Sequence, residues 1–335
     1  METKKKVEYG DYVLMCCDKS DKECMPHEFI RNMSVTFMEY FEYMLQNGFD
    51  EIERHILTSL QLKKWCNFSD DEIIDSILPK TEMDRDKKLK KKDYYMANGK
   101  CAFDILKFIF TKELFDALKQ SPSIVHHNYY NILRWILMDV DQLINEYNNN
   151  NNNMNDDHQY SVTHRTIHAM SLHNVLRQSA YGRASFHSFS DVEIDASIAV
   201  IRQLVELRIR RAFAAIALVD QKGNLYPLDM ISIFEILKKY EKDIVFPGRL
   251  SSIERIYKWS NLYIHSGRGD YAWITYFLEK YLRPLSFGDE KPDGSWNYNN
   301  AISLTKETYD KIEKELSELN DNFTVLKCKP ECEIK

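Results

Sequence analysis

The sequence predicts an all-α protein: an antiparallel helical bundle in the C-terminal half and a separate, mainly helical N-terminal region. Three observations carry this expectation. Ten glycines and eight prolines are few for 335 residues, whereas loops and strands use more of both. Apolar residues recur at helical spacing through long stretches. Ser-x-x-Glu boxes, a reciprocal signature of a helix start, stand at Ser69 and Glu72, Ser190 and Glu193, and Ser251 and Glu254.

Taken in order, Phe29, Met33, Phe37, Tyr40, Phe41 and Met44 share a helical face that is expected to end near Gly48. The Ser69 box opens a short helix before Pro79. The charged run DRDKKLKKKD, residues 84–93, reads either as a solvated face or as a phosphate-contacting loop. Two apolar helices follow, around 100–119 and 123–147. Residues 145–159, NEYNNNNNNMNDDHQ, have little to bury and read as a loop, with 148–159 as an Asn-rich linker. The expected domains are therefore 1–147, of unreadable role, and 160–322, followed by a polar tail at 323–335.

In the second half a helix is expected from about Asp191 to Leu218. Ile194, Ile198, Ile201, Val205, Ile209 and Phe213 form its stripe, widened by Leu204, Leu207 and Ala215, so it is buried on most sides. Further helices are expected at about 228–242, from the Ser251 box to His265 or Ser266, from 270 to just before Pro284, and at about 302–320. Gly267 suits the position after a helix end. No strand is evident. The tail TVLKCKPECEIK is too polar to pack alone, and so is either disordered or bound to a partner.

Bulk properties narrow the function. A 44% hydrophobic, 29% charged chain is globular. A net charge of −6 argues against a nucleic-acid coat while leaving room for a local basic site. No apolar run is long enough for a membrane span, and METKKKVEYGDYV lacks a signal-peptide core, so a cytoplasmic protein with no membrane partner is expected. Seven scattered cysteines read as reduced thiols. Neither the Cys328 and Cys332 pair nor Cys16, Cys17 and Cys24 makes a four-ligand zinc pattern. No metal or cofactor is expected.

Arg202 and Glu206 are four apart on one face of an otherwise apolar helix, and Arg210 continues it. They either neutralise one another on a solvated edge or serve a site. His265 falls in the last turn of its helix beside Gly267-Arg268-Gly269, with Asn261 one turn earlier. It either caps that helix or moves protons, which an imidazole does well near neutral pH. Arginine, carboxylate and histidine together suffice to cut RNA: a base takes the ribose 2′-OH proton, an acid protonates the leaving 5′-oxygen, and a cation holds the phosphate. Arg202 suits the clamp. His158, His164, His168, His173 and His187 form a second cluster. His164 and His168 have metal-pair spacing but no intervening Glu. With Arg165, Arg177, Arg183 and Tyr181, this segment reads either as an RNA-facing edge or as an ordinary solvated face.

Arg202-x-x-x-Glu206 on a buried helix, followed by Asn261-Leu-Tyr-Ile-His265-Ser266 at a later helix end, resembles the HEPN superfamily and, within it, the anticodon-nuclease branch. The resemblance spans roughly residues 160–320. The family's common signature, an arginine, then four to six residues, then the histidine, has no counterpart here; Asn261-x-x-x-His265 matches it only in part. The resemblance implies an all-helical, commonly dimeric domain. It also implies a metal-independent endoribonuclease of bacterial defence or toxin type, cleaving tRNA or other structured RNA. Arg202, Glu206 and His265 would be catalytic, and Asn261, Arg210 and Arg268 would bind substrate. It leaves open a regulatory partner protein. The alternative is a non-catalytic helical module that dimerises or binds a partner protein or RNA.

Overall fold

The computed structural model describes residues 6–20, 35–151, 196–266, 270–288, 297–319 and 322–335. Among them the chain is mostly helical. The helices are α1 (Phe37–Tyr43), α2 (Phe49–Ser59), α3 (Asp70–Ile77), α4 (Glu82–Leu89), α5 (Lys92–Ile109), α6 (Lys112–Lys119), α7 (Ser123–Asn151), α8 (Ala196–Ala212), α9 (Met230–Lys239), α10 (Leu250–Ser266), α11 (Ala272–Phe287) and α12 (Lys306–Ser317). Six short strands accompany them: β1 (Ala215–Val219), β2 (Leu225–Tyr226), β3 (Ile244–Val245), β4 (Ser303–Leu304), β5 (Thr324–Lys327) and β6 (Glu333–Ile334). No helix among the described residues is long and apolar enough to cross a membrane. The six cysteines among them are free thiols. The residues fall into two compact units, which interleave along the chain rather than meeting at one break.

The first unit draws on residues 1–68, 86–164 and 270–277. Thr36 and Glu39 form the capping box that opens α1. Gly48 does not end this segment. Met44–Gly48 is a π-helical turn that runs straight into α2, and the Tyr43 ring lies so close to Gly48 that a β-carbon there would strike it. The helix expected over 100–119 is two helices, because Thr111 caps α6 by accepting from the Leu114 N–H at 3.3 Å. Phe41 meets Phe110 and Phe115 edge-on, at centroid distances of 5.3 and 5.2 Å, in the core. Helix α7 buries Leu133, Ile136, Leu137, Val140, Leu143 and Tyr147. It also continues through Asn148–Asn151, where a linker is expected, and Asn150 donates to the Leu89 carbonyl at 3.3 Å. The rest of the Asn-rich stretch lies outside the described residues.

The second unit draws on residues 69–85, 165–269 and 278–335. The Ser69 box is present and opens α3. The Ser190 box and Ile194 lie outside the described residues. Helix α8 packs against α10 and buries Ile198, Ile201, Val205 and Ile209, while Leu207 is exposed. It stops at Ala212, short of Leu218. Ala214 takes a positive φ of 57° and turns the chain into β1, which pairs antiparallel with β2 and β5. Pairing with distant strands thus overrides the helical pattern of residues 215–218. Strand β4 lies between β3, antiparallel, and β6, parallel. The polar tail is therefore structured: it supplies β5 and β6 and buries Val325 and Cys332. The Ser251 box is not used. Helix α10 starts a residue earlier, with the Ser252 and Ile253 amides bonding to the Arg249 carbonyl. Helix α11 runs past Pro284 and ends at Gly288, whose φ is 71°.

Candidate functional site

Helix α8 carries one charged group of interest. Arg202 and Glu206 pair at 3.1 Å, and Arg210 reaches the other Glu206 oxygen at 3.9 Å. The Arg202 guanidinium also lies over the Tyr257 ring of α10, at 5.6 Å from its centroid. Arg210 donates to the Leu228 carbonyl at 2.8 Å. All three side chains are largely buried and bound to protein groups. Only the Nε atoms of Arg202 and Arg210, among their polar atoms, are buried without a hydrogen-bond partner. The group keeps a net positive charge but engages each of its charged side chains within the fold, and Arg202 braces α8 on α10 through Tyr257.

His265 lies elsewhere. Lys258, Asn261, Leu262 and His265 stand at i, i+3, i+4 and i+7 on α10 and so share one face. They line a cleft of about 540 Å³ with Ser266 and with Lys80, Thr81 and Glu82, which lead into α4. Arg202, Glu206 and Arg210 are not among its lining residues. Tyr257, which holds Arg202, is eight residues before His265, roughly 12 Å along a helix axis. The structure therefore joins Asn261 to His265, and Arg202 to Glu206 and Arg210, as two separate groups.

The cleft is built locally. The Thr81 hydroxyl accepts from the Asp84 N–H at 3.1 Å, and Asp84 in turn accepts from the Lys80 N–H at 2.9 Å, so α4 begins at the cleft wall. Lys258 is held at 2.8 Å by Glu254, which Lys238 also meets at 2.7 Å. Burial alone would raise the Glu254 pKa, but these two ammonium groups outweigh it and hold the carboxyl below its usual range. The Asn261 Oδ1 is buried without a hydrogen-bond partner. His265 is exposed in the last turn of α10. Around the opening stand the Lys80 and Lys258 ammonium groups, the second paired with Glu254, the His265 imidazole, the Asn261 amide, the Thr81 and Ser266 hydroxyls and the Glu82 carboxylate.

Arg268 and Gly267 lie outside the described residues, as does the whole histidine cluster of residues 158–187 with its arginines and Tyr181. Lys258 was readable in the sequence from its helical spacing to Asn261 and His265. Lys80, Thr81 and Glu82 carry no such signal, because only tertiary packing brings them to α10. Among the described residues no group of three or more His, Cys, Asp or Glu is arranged to hold a metal ion. No protein-family model, curated protein or solved structure matches this chain.

Proposed function

We propose that this chain is a metal-independent endoribonuclease acting on tRNA or another structured RNA, with His265 at the reacting phosphate. The observation that carries this reading is the cleft that gathers His265, Lys258, Lys80 and Glu82. RNA brings its own nucleophile, so two proton-transfer groups and a cation are enough. His265 takes the proton from the 2′-OH. The 2′-oxygen bonds to phosphorus, the bond to the 5′-oxygen breaks, and a water molecule supplies that oxygen's proton. The products are a 2′,3′-cyclic phosphate and a free 5′-OH. Lys80 and Lys258 steady the phosphate as its charge rearranges. Arg202 and Glu206 act as positioning residues that keep α8 seated against α10. The HEPN-like antiparallel bundle, a second copy of the chain as partner, a cytoplasmic setting and a role in bacterial defence belong to the same reading. They are carried by the sequence resemblance.

The test is purified protein incubated with total bacterial RNA in EDTA, beside His265→Ala, with the new ends sequenced. Cleavage by the parent with cyclic-phosphate ends, lost in a variant of unchanged circular dichroism, is expected. Equal cleavage by the variant would remove His265 from the mechanism. No cleavage by the parent would favour the second reading, a helical interaction module. That reading is supported by Arg202, Glu206 and Arg210, whose charges are engaged within the fold.

A further inference from the structure

The first unit contains a buried acid that the proposed chemistry does not use. Glu146 of α7 is only 5% exposed. One of its oxygens accepts from the Tyr271 hydroxyl at 2.6 Å, and the other from the Gln142 amide at 3.2 Å. Tyr271 belongs to residues 270–277, which are fastened at two further points. The Ala272 N–H donates to Asp139 at 2.7 Å, and the Trp273 indole donates to Asn98 at 3.1 Å. Tyr271 stacks on Trp273 with centroids 4.5 Å apart.

We propose that Glu146 is a proton-controlled latch: protonated, it holds residues 270–277 against α7, and ionised, it weakens that hold. The groups facing it come from three elements. Helix α7 supplies Asp139 and Gln142, the segment itself supplies Asp270 and Tyr271, and α5 supplies Tyr95, with Tyr94 acting on Tyr271. Asp139 and Asp270 are themselves buried, at 6% and 8% exposure. An ionised Glu146 therefore adds a charge to a nearly dry site that already holds two carboxyl groups; burial disfavours it most, the Tyr271 and Gln142 hydrogen bonds favour it, and the two neighbouring carboxyls disfavour it further, for a net rise. The result is a carboxyl pushed up to about 7, so the hold on the segment weakens as pH rises through neutrality. The segment that answers is the start of α11, with Tyr271, Trp273, Ile274 and Phe277 buried, so its open form is a minor state of the kind hydrogen exchange reads.

Hydrogen exchange on the full chain tests this, comparing the peptide covering 270–277 at pH 6 and 8.5 after correction for intrinsic exchange. In the parent its protection is expected to fall about ten-fold, the change a carboxyl near 7 produces against about 4.5 when released. Glu146→Gln keeps an acceptor oxygen for Tyr271 but cannot ionise, and should stay protected at both pH values. Unchanged protection in the parent, or an equal fall in the variant, would overturn the latch. Should Glu146→Gln fail to fold, infrared spectra of the parent decide. A carboxylic-acid carbonyl band that fades together with the protection supports the latch, and its absence at pH 6 overturns it.

Discussion

Gly288 sets the end of α11 in a way no other residue there could. Its φ of 71° is left-handed, and a β-carbon would collide with the Asn297 carbonyl oxygen. Gly288→Ala should therefore lower stability by about 2 kcal/mol or more, combining left-handed strain with the clash. Ala214, at φ 57°, is the mirror case. Ala214→Gly should be neutral or stabilising by up to about 1 kcal/mol, since glycine adopts that conformation without strain. Urea midpoints of the two variants moving in the same direction would contradict this. The sequence offered Pro284 as the stop, and that was the wrong cue. A proline one turn from a helix end costs a single backbone bond, whereas the residue that reverses the chain must be free of a side chain. At the site, Asn261 and His265 were legible because one helix supplies both, at a spacing of four.

At the scale of elements, helices were legible wherever a cap and an apolar stripe coincided, as with α3 behind Ser69. Strands were not, because they are two to five residues long and too short to show a period. The tail shows the cost of that blindness. Its polar look is explained by partners about 120 residues earlier. Arg211 meets Glu331 at 2.8 Å, and buried Arg208 bonds the Glu331 carbonyl at 3.2 Å and the Leu285 carbonyl at 2.8 Å. Glu331→Ala removes the carboxylate and leaves Arg208 its two carbonyls. A loss of roughly 1–3 kcal/mol is expected. Hydrogen exchange should quicken first in β5 and β6. If those strands keep the parent's protection, the ion pairs do not anchor them.

Across the whole molecule the two units should answer pH differently. In the second unit the displaced carboxyls are lowered, among them Asp71, where hydrogen bonds from Ser252 and Tyr281 and the Arg249 charge outweigh burial, and Glu254. A carboxyl lowered on folding stabilises above its unfolded value, and that stability is lost as pH falls through the folded one. The first unit has such a group in Asp141, held charged against burial by His55, Tyr12 and Tyr9. It also has Glu146, raised, whose contribution is full below about 4.5 and lost as pH rises to about 7. That limb amounts to about 3 kcal/mol at most, and Glu146→Gln should flatten it while sparing the acid limb. Denaturation curves from pH 4 to 8.5 in which the variant tracks the parent would contradict the assignment. None of this was legible in the sequence, because Glu146 looks like one more acid beside an asparagine run.

The interleaving of the units has a further consequence, for synthesis. Asp71 accepts hydrogen bonds from Ser252 and from Tyr281, which lie 181 and 210 residues further along the chain. At roughly 5–20 residues per second, a ribosome delivers Tyr281 some 10–40 s after Asp71. Throughout that interval the nascent α3 carries Ile73, Ile74 and Ile77, all destined for burial, with its later partners still unmade. The stretch behind Ser69 is therefore where a chaperone would be expected to bind the growing chain, and where slowed translation would most readily divert it into aggregates.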